Sequence, residues 1–99
     1  MKKLLYIDDL RTPCTYIQNH YKVTIARSYQ EAIDLLEDFT IIDLDHDLGE
    51  EKTGYNICKY IVENNIKITR AYIHSSNPVG RFNMYQLLHR YCKCDIIPY

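Results

Sequence analysis

Hydrophobic positions in this chain fall into short apolar runs separated by amphipathic stretches. Residues 3–7 (KLLYI) form an apolar run that stops abruptly at Asp8 and Asp9, as a buried strand does. Thr12 and Pro13 predict an N-cap followed by proline at the first helical position, and so a short helix to about His20. Residues 21–26 (YKVTIA) are β-branched and alternating, a second strand. Ser28 and Glu31 stand at capping-box spacing, and Ala32, Ile33, Leu35 and Leu36 carry a helix from there to about Asp38. Residues 39–44 (FTIIDL) are apolar enough for the centre of a sheet covered on both faces. A polar loop (45–53) leads into residues 54–64, where Ile57, Tyr60 and Ile61 share one helical face. Residues 67–74 (KITRAYIH) predict a fourth strand, 75–78 a turn, 79–91 a helix carrying Met84, Leu87, Leu88 and Tyr91, and 94–97 a short fifth strand.

Strands alternating with helices at this spacing mean βαβ units with right-handed crossovers around a parallel sheet. The count predicts a (βα)4β chain with the flavodoxin-like order 2-1-3-4-5. Ninety-nine residues suffice for one domain with one core, spanning 1–99. A formal charge of −1 argues against extended DNA binding, which needs a clearly basic face. A small phosphorylated ligand needs only local positive charge. No stretch approaches the roughly 20 apolar residues of a membrane helix, and residues 1–7 lack the length of a secretory signal. Of the four cysteines only Cys92 and Cys94 are close, and a C-x-C without a second Cys or His pair is a poor zinc signal. Reduced thiols in the cytoplasm are the simple expectation.

In an open parallel sheet, ligands bind outside the carboxyl ends of the strands, where strand order switches. The unusual polar residues collect there: Asp8, Asp9 and Arg11 after the first strand; Asp45, His46 and Asp47 after the third; His74, Ser75, Ser76 and Asn77 after the fourth. A carboxylate after a strand can also be only a cap or a solvated loop residue. Four acidic side chains converging (Asp8, Asp9, Asp45, Asp47) would repel unless a cation sat among them, and hard oxygen ligands suit Mg2+ or Mn2+. Asp43, inside the third strand, reads equally as a structural hydrogen-bonding residue. His46 and His74 at adjacent strand ends could supply the acid and base of a phosphoryl transfer. A helix starting near Pro78 presents free amides to a phosphate, Gly80 allows close approach, Arg81 offers a charged fork, and Arg11 could face it. The plainer alternative is Asn77 capping the helix, with Arg81 in solvent.

These residues resemble response-regulator receiver domains, with an acidic pair after strand one (Asp8, Asp9), an Asp after strand three (Asp45), a Ser after strand four (Ser75) and Gly54 beyond the acceptor loop. Two features depart from that pattern: Ile97 stands before Pro98 where receivers carry a Lys, and the last receiver helix is missing. The runs IDDLRTP (7–13), ARSYQEAIDLL (26–36), LDHDLGEEKTGYNI (44–57) and IHSSNPVGRFNM (73–84) closely resemble a divergent branch, the cyclic-phosphate-processing receiver-like domain. That resemblance implies a three-layer receiver fold and action on cyclic phosphates of nucleotides or RNA ends. By position it implies that Asp8, Asp9 and Asp45 hold a divalent metal. His46 and His74 would then act as acid and base, Asp47 would assist His46, and Arg11, Ser75, Asn77, Gly80, Arg81 and Asn83 would surround the phosphate.

The leading expectation is therefore a metal-assisted phosphoesterase that opens a cyclic phosphate. The alternatives are a non-catalytic module that sequesters a nucleotide or cyclic nucleotide, and a degenerate receiver using Asp45 as phosphoryl acceptor. Self-association is an open expectation, because shortened outer elements leave apolar surface for a partner.

Overall fold

A computed structural model describes all 99 residues. The elements run β1 (Lys3–Ile7), α1 (Thr15–His20), β2 (Lys22–Ala26), α2 (Tyr29–Leu35) with a 3-10 turn (Leu36–Asp38), β3 (Ile41–Leu44), α3 (Gly54–Glu63), β4 (Arg70–Ile73), α4 (Pro78–Tyr91) and β5 (Asp95–Pro98). All five strands are parallel in the order β2-β1-β3-β4-β5, the flavodoxin-like order expected from the sequence.

Three boundaries differ from the sequence expectation by two residues or more, each for a local reason. The first helix starts at Thr15 rather than Pro13, and Cys14 at its N-cap makes no side-chain cap. The Tyr6 hydroxyl donates to the Thr12 carbonyl and the Gln18 amide to the Pro13 carbonyl, which ties residues 12–13 down as extended chain. The third strand loses its first two residues, because the 3-10 turn closes with the Phe39 amide on the Leu36 carbonyl. The fourth strand begins at Arg70, since the chain first turns through Asn65 at a left-handed φ of 52°. At α2 the Ser28 hydroxyl accepts from the Glu31 amide as a cap should, but the Glu31 carboxylate reaches the Arg27 amide instead of completing the box.

The two sheet faces are covered unequally. Helices α2, α3 and α4 bury a 17-residue cluster against one face, including Leu5, Ile7, Ile42, Leu44, Ile57, Ile61, Met84 and Leu88. The other face carries a cluster of six (Leu4, Tyr6, Ile17, Tyr21, Ile41, Tyr72), under α1 alone. Beside α1 a cavity of about 370 Å³ remains, lined by Cys14, Tyr16, Ile17, Arg70, Tyr72, Ile97 and Tyr99. No helix is long and apolar enough to cross a membrane.

Candidate functional site

Strand periodicity builds the centre of the site. The ladder continues one residue past three strands: the Asp8 amide donates to the Ala26 carbonyl, Asp45 to Ile7 and His74 to Leu44. Side chains alternate between faces, so Tyr6 and Asp8, Asp43 and Asp45, and Tyr72 and His74 all point to the thinly covered face. Asp8, Asp43, Asp45, His74 and Ser75 are the buried polar residues of the molecule. Asp8, Asp45 and His74 each bring a ligand atom within 4.8 Å of the others.

His74 is held on both sides. Its Nδ1 lies 2.5 Å from Asp43 Oδ1 and its Nε2 lies 2.9 Å from Asp8 Oδ2. The Tyr99 hydroxyl donates to the second Asp43 oxygen, and the Tyr6 ring stacks on the imidazole with centroids 4.6 Å apart. Burial works against a charged imidazole, but the hydrogen bond and charge of Asp43, then the hydrogen bond of Asp8 and the charge of Asp45, outweigh it and raise the His74 pKa. Asp8 moves the other way. Burial would raise it, yet the Arg11 and Leu10 amides on Oδ1 and the His74 ring on Oδ2 bring it below the usual carboxylate value.

Arg11 closes the cluster. Its Nε is 3.1 Å from Asp8 Oδ2, its Nη2 is 3.1 Å from Asp45 Oδ2, and the same Nη2 donates to the His74 carbonyl. Arg27 fixes that loop from behind, donating to the carbonyls of Asp8 and Arg11. The expected convergence of Asp8, Asp9, Asp45 and Asp47 is therefore corrected. Asp43 joins Asp8 and Asp45 inside, and the protein's own Arg11 and His74 answer the repulsion. Asp9 instead faces the loop after β3, where a Cβ on Gly49 would meet its Oδ2 at 2.7 Å. Asp47 is solvent-exposed at 65 % of its side chain.

The rim holds the remaining sequence candidates. His46 Nδ1 is 3.1 Å from Asp47 Oδ1 and 3.4 Å from the Asn77 amide nitrogen. Its ring lies against the first turn of α4, where a Cβ on Gly80 would land on it. Asn77 caps α4 by accepting from the Gly80 amide, and the Ser75 hydroxyl accepts from the Asn77 amide. Both side chains thus shape the turn, and the helix start is largely capped from within. Arg81, partly buried, makes no hydrogen bond or ion pair and lines a shallow depression with Ser76, Pro78, Phe82, Tyr85 and Pro98. Asn83 is not brought to the strand ends; it lines a groove between α3 and α4 with Tyr55, Gln86 and Arg90. Sequence reasoning passed over Tyr6, Arg27 and Tyr99. The two-residue alternation that links Tyr6 to Asp8 was the one available signal for the first of them.

The cluster can be tested for a divalent cation by its donor set. Asp8 and Asp45 each offer a carboxylate oxygen of the kind a hard divalent ion takes, and Asp43 fixes the His74 ring beside them. The Arg11 guanidinium between Asp8 and Asp45 is a stand-in cation. The residues fit such an ion if Arg11 yields its place.

A five-stranded parallel sheet in this order, with an acidic cluster at its carboxyl edge, defines a receiver-fold domain. Solved structures agree. The chain is similar to a response regulator from Burkholderia pseudomallei described with a phosphorylated aspartic acid, a calcium ion and citrate (17 % identity, TM-score 0.68), covering 99 % of this chain and 59 % of that one. It is similar to a CheY-like receiver domain from Methanospirillum hungatei (15 %, TM-score 0.65, 99 % and 81 %) and to the chemotaxis protein CheY4 of Vibrio cholerae (19 %, TM-score 0.64, 99 % and 86 %). No curated protein matches the chain. Residues 3–90 match the Cyclic-phosphate processing Receiver domain, and the chain belongs to that family.

Proposed function

We propose that the protein hydrolyses a cyclic phosphate ester of a nucleotide or RNA end at the carboxyl rim of its sheet. The observation that carries the reading is the contrast between the two histidines. His46 lies at the rim with Nδ1 against Asp47, leaving Nε2 for a ligand, whereas both nitrogens of His74 are bonded to carboxylates. His46 is thus the group placed to move a proton, and His74 is a fixed positive charge beneath the site. Water adds to phosphorus as the ring ester P–O bond breaks; the water proton passes to His46 Nε2 and from there to the departing oxygen. Arg11 is the cation placed to face the phosphate oxygens, where negative charge builds up in the transition state. A divalent cation held by Asp8 and Asp45 would supply further positive charge at that point.

Turnover of a panel of nucleoside cyclic phosphates and cyclic-phosphate-ended RNAs tests the reading. His46→Gln is expected to lose about 10²- to 10⁴-fold, the usual worth of a positioned acid–base group, with an unchanged melting temperature. A His46→Gln protein that keeps parental turnover sinks the proton role.

Binding without chemistry is the second reading. What favours it is that Arg11 and His74 already neutralise most of the carboxylate charge, so the site is electrostatically complete as it stands. Recovery of intact cyclic ligand after heat denaturation of a complex selects this reading, and recovery of the opened ester selects hydrolysis.

A further inference from the structure

We infer that Arg11 is a displaceable internal counter-ion that holds the cation position between Asp8 and Asp45 until metal and phosphate arrive together. The inference rests on the cation-and-phosphate reading of the strand-end cluster given above. Its basis is which bonds the two carboxylates can give up. Asp8 Oδ1 is bound by the amides of Leu10 and Arg11, each at 2.9 Å, and Asp45 Oδ1 by the His46 amide at 2.8 Å. Those bonds are part of the loop backbone and cannot be released without unfolding it. Asp8 Oδ2 is also held by His74, which Asp43 anchors from behind in a buried position. What remains is the guanidinium, 3.1 Å from each Oδ2, on a side chain that is 50 % exposed. It is the one cation in the cluster with solvent to move into.

Exchange then has a definite consequence. A divalent cation entering between the Oδ2 atoms must displace the Arg11 hydrogen bond to Asp8 and its ion pair with Asp45, so the native protein binds metal more weakly than its ligand set alone would allow. The displaced guanidinium stays tethered at the rim, within reach of an anion that arrives beside the cation. A phosphate re-pairs it and so offsets the displacement. Metal and phosphate should therefore bind with positive coupling, and by linkage the coupling is reciprocal.

The test uses Mn2+ titrations of the full chain, read by loss of the free-ion electron paramagnetic resonance signal, with and without inorganic phosphate. Without phosphate, Arg11→Gln is expected to bind Mn2+ about tenfold more tightly than the native chain, matching the loss of a competing charge-assisted bond. Phosphate is expected to tighten Mn2+ binding by the native chain and to leave Arg11→Gln unchanged. Asp45→Asn placed in the Arg11→Gln background should abolish the gain. Equal or weaker Mn2+ binding by Arg11→Gln, a gain that survives Asp45→Asn, or no Mn2+ binding by either chain overturns the inference. The native chain supplies a measurement that needs no variant: the hydrogen-bonded Arg11 Nε–H resonance should disappear on Mg2+ saturation, and its persistence at saturation is equally fatal. None of these readouts uses turnover, so loss of the proton role of His46 would leave them untouched, and their failure would leave that role standing.

Discussion

Between Asp43 and Asp8 the His74 ring has no nitrogen left for solvent, and its charge state becomes a stability term. The folded pKa of His74 lies above its ordinary value of 6.5, so its stabilisation is complete below that value and is lost as pH rises through the raised pKa. Asp8 lies below its ordinary value of 3.8, so its contribution is present above 3.8 and is lost as pH falls through the lowered pKa. In metal-free buffer the melting temperature should therefore be highest between these two ordinary values and decline on the alkaline side as His74 deprotonates. A melting temperature that climbs steadily through the alkaline range contradicts the imidazolium assignment. Asp43→Asn strips one partner from the buried pair, and a urea unfolding curve should register a loss of about 3–5 kcal/mol. The sequence marked Asp43 only as a strand residue with a structural alternative. Its importance follows from a neighbour, His74, that is distant in sequence and meets it only across the β3–β4 pair.

At the scale of elements, the rim depends on how α4 leaves the Asn77 cap. Asn77 and Pro78 were legible as a helix start, since cap and first-turn proline follow local rules. What they start against was not legible, because the His46 ring arrives from the loop after β3. Gly80→Ala separates the two effects. Alanine favours the helix by roughly 0.5–1 kcal/mol over glycine, but its Cβ occupies the place of the His46 ring. The expected outcome is a melting temperature within a few degrees of the parent, a displaced His46 ring signal in the proton–nitrogen spectrum, and turnover reduced at least about tenfold, as loss of a positioned proton carrier requires. An unmoved ring signal would show that the packing of α4 does not set the position of His46. The misjudged start of α1 has the same origin: Thr12-Pro13 is a sound local signal, overruled by bonds from Tyr6 and Gln18.

For the whole molecule, the unequal covering of the sheet explains why the site is both rigid and accessible. The larger cluster under α2, α3 and α4 fixes the strand ends, while the face under α1 carries a polar chain that runs from the exposed Tyr99 through buried Asp43, His74 and Asp8 to the exposed Arg11. A ligand that binds only this folded arrangement stabilises the domain by mass action, about 2.7 kcal/mol at one hundred times its dissociation constant. For a chain of this size that is a rise of roughly 10–20 °C, measurable by thermal unfolding with Mg2+ and a non-hydrolysable cyclic-phosphate analogue together. No rise with the pair present would remove the ligand site from the strand-end cluster. The sequence by itself determined the order of strands and helices, the parallel sheet and the edge at which Asp8, Asp45, His46 and His74 collect. Those properties follow from hydrophobic period and from the right-handedness of βαβ crossovers, which are local. Only the tertiary structure decided which polar groups meet: Asp43 rather than Asp9 joins the buried cluster, Arg11 supplies the cation, and one histidine is buried while the other stays at the rim. The reason is physical. Burial, charge compensation and hydrogen-bond partners depend on side chains brought together across neighbouring strands, and no window along the chain contains both members of such a pair.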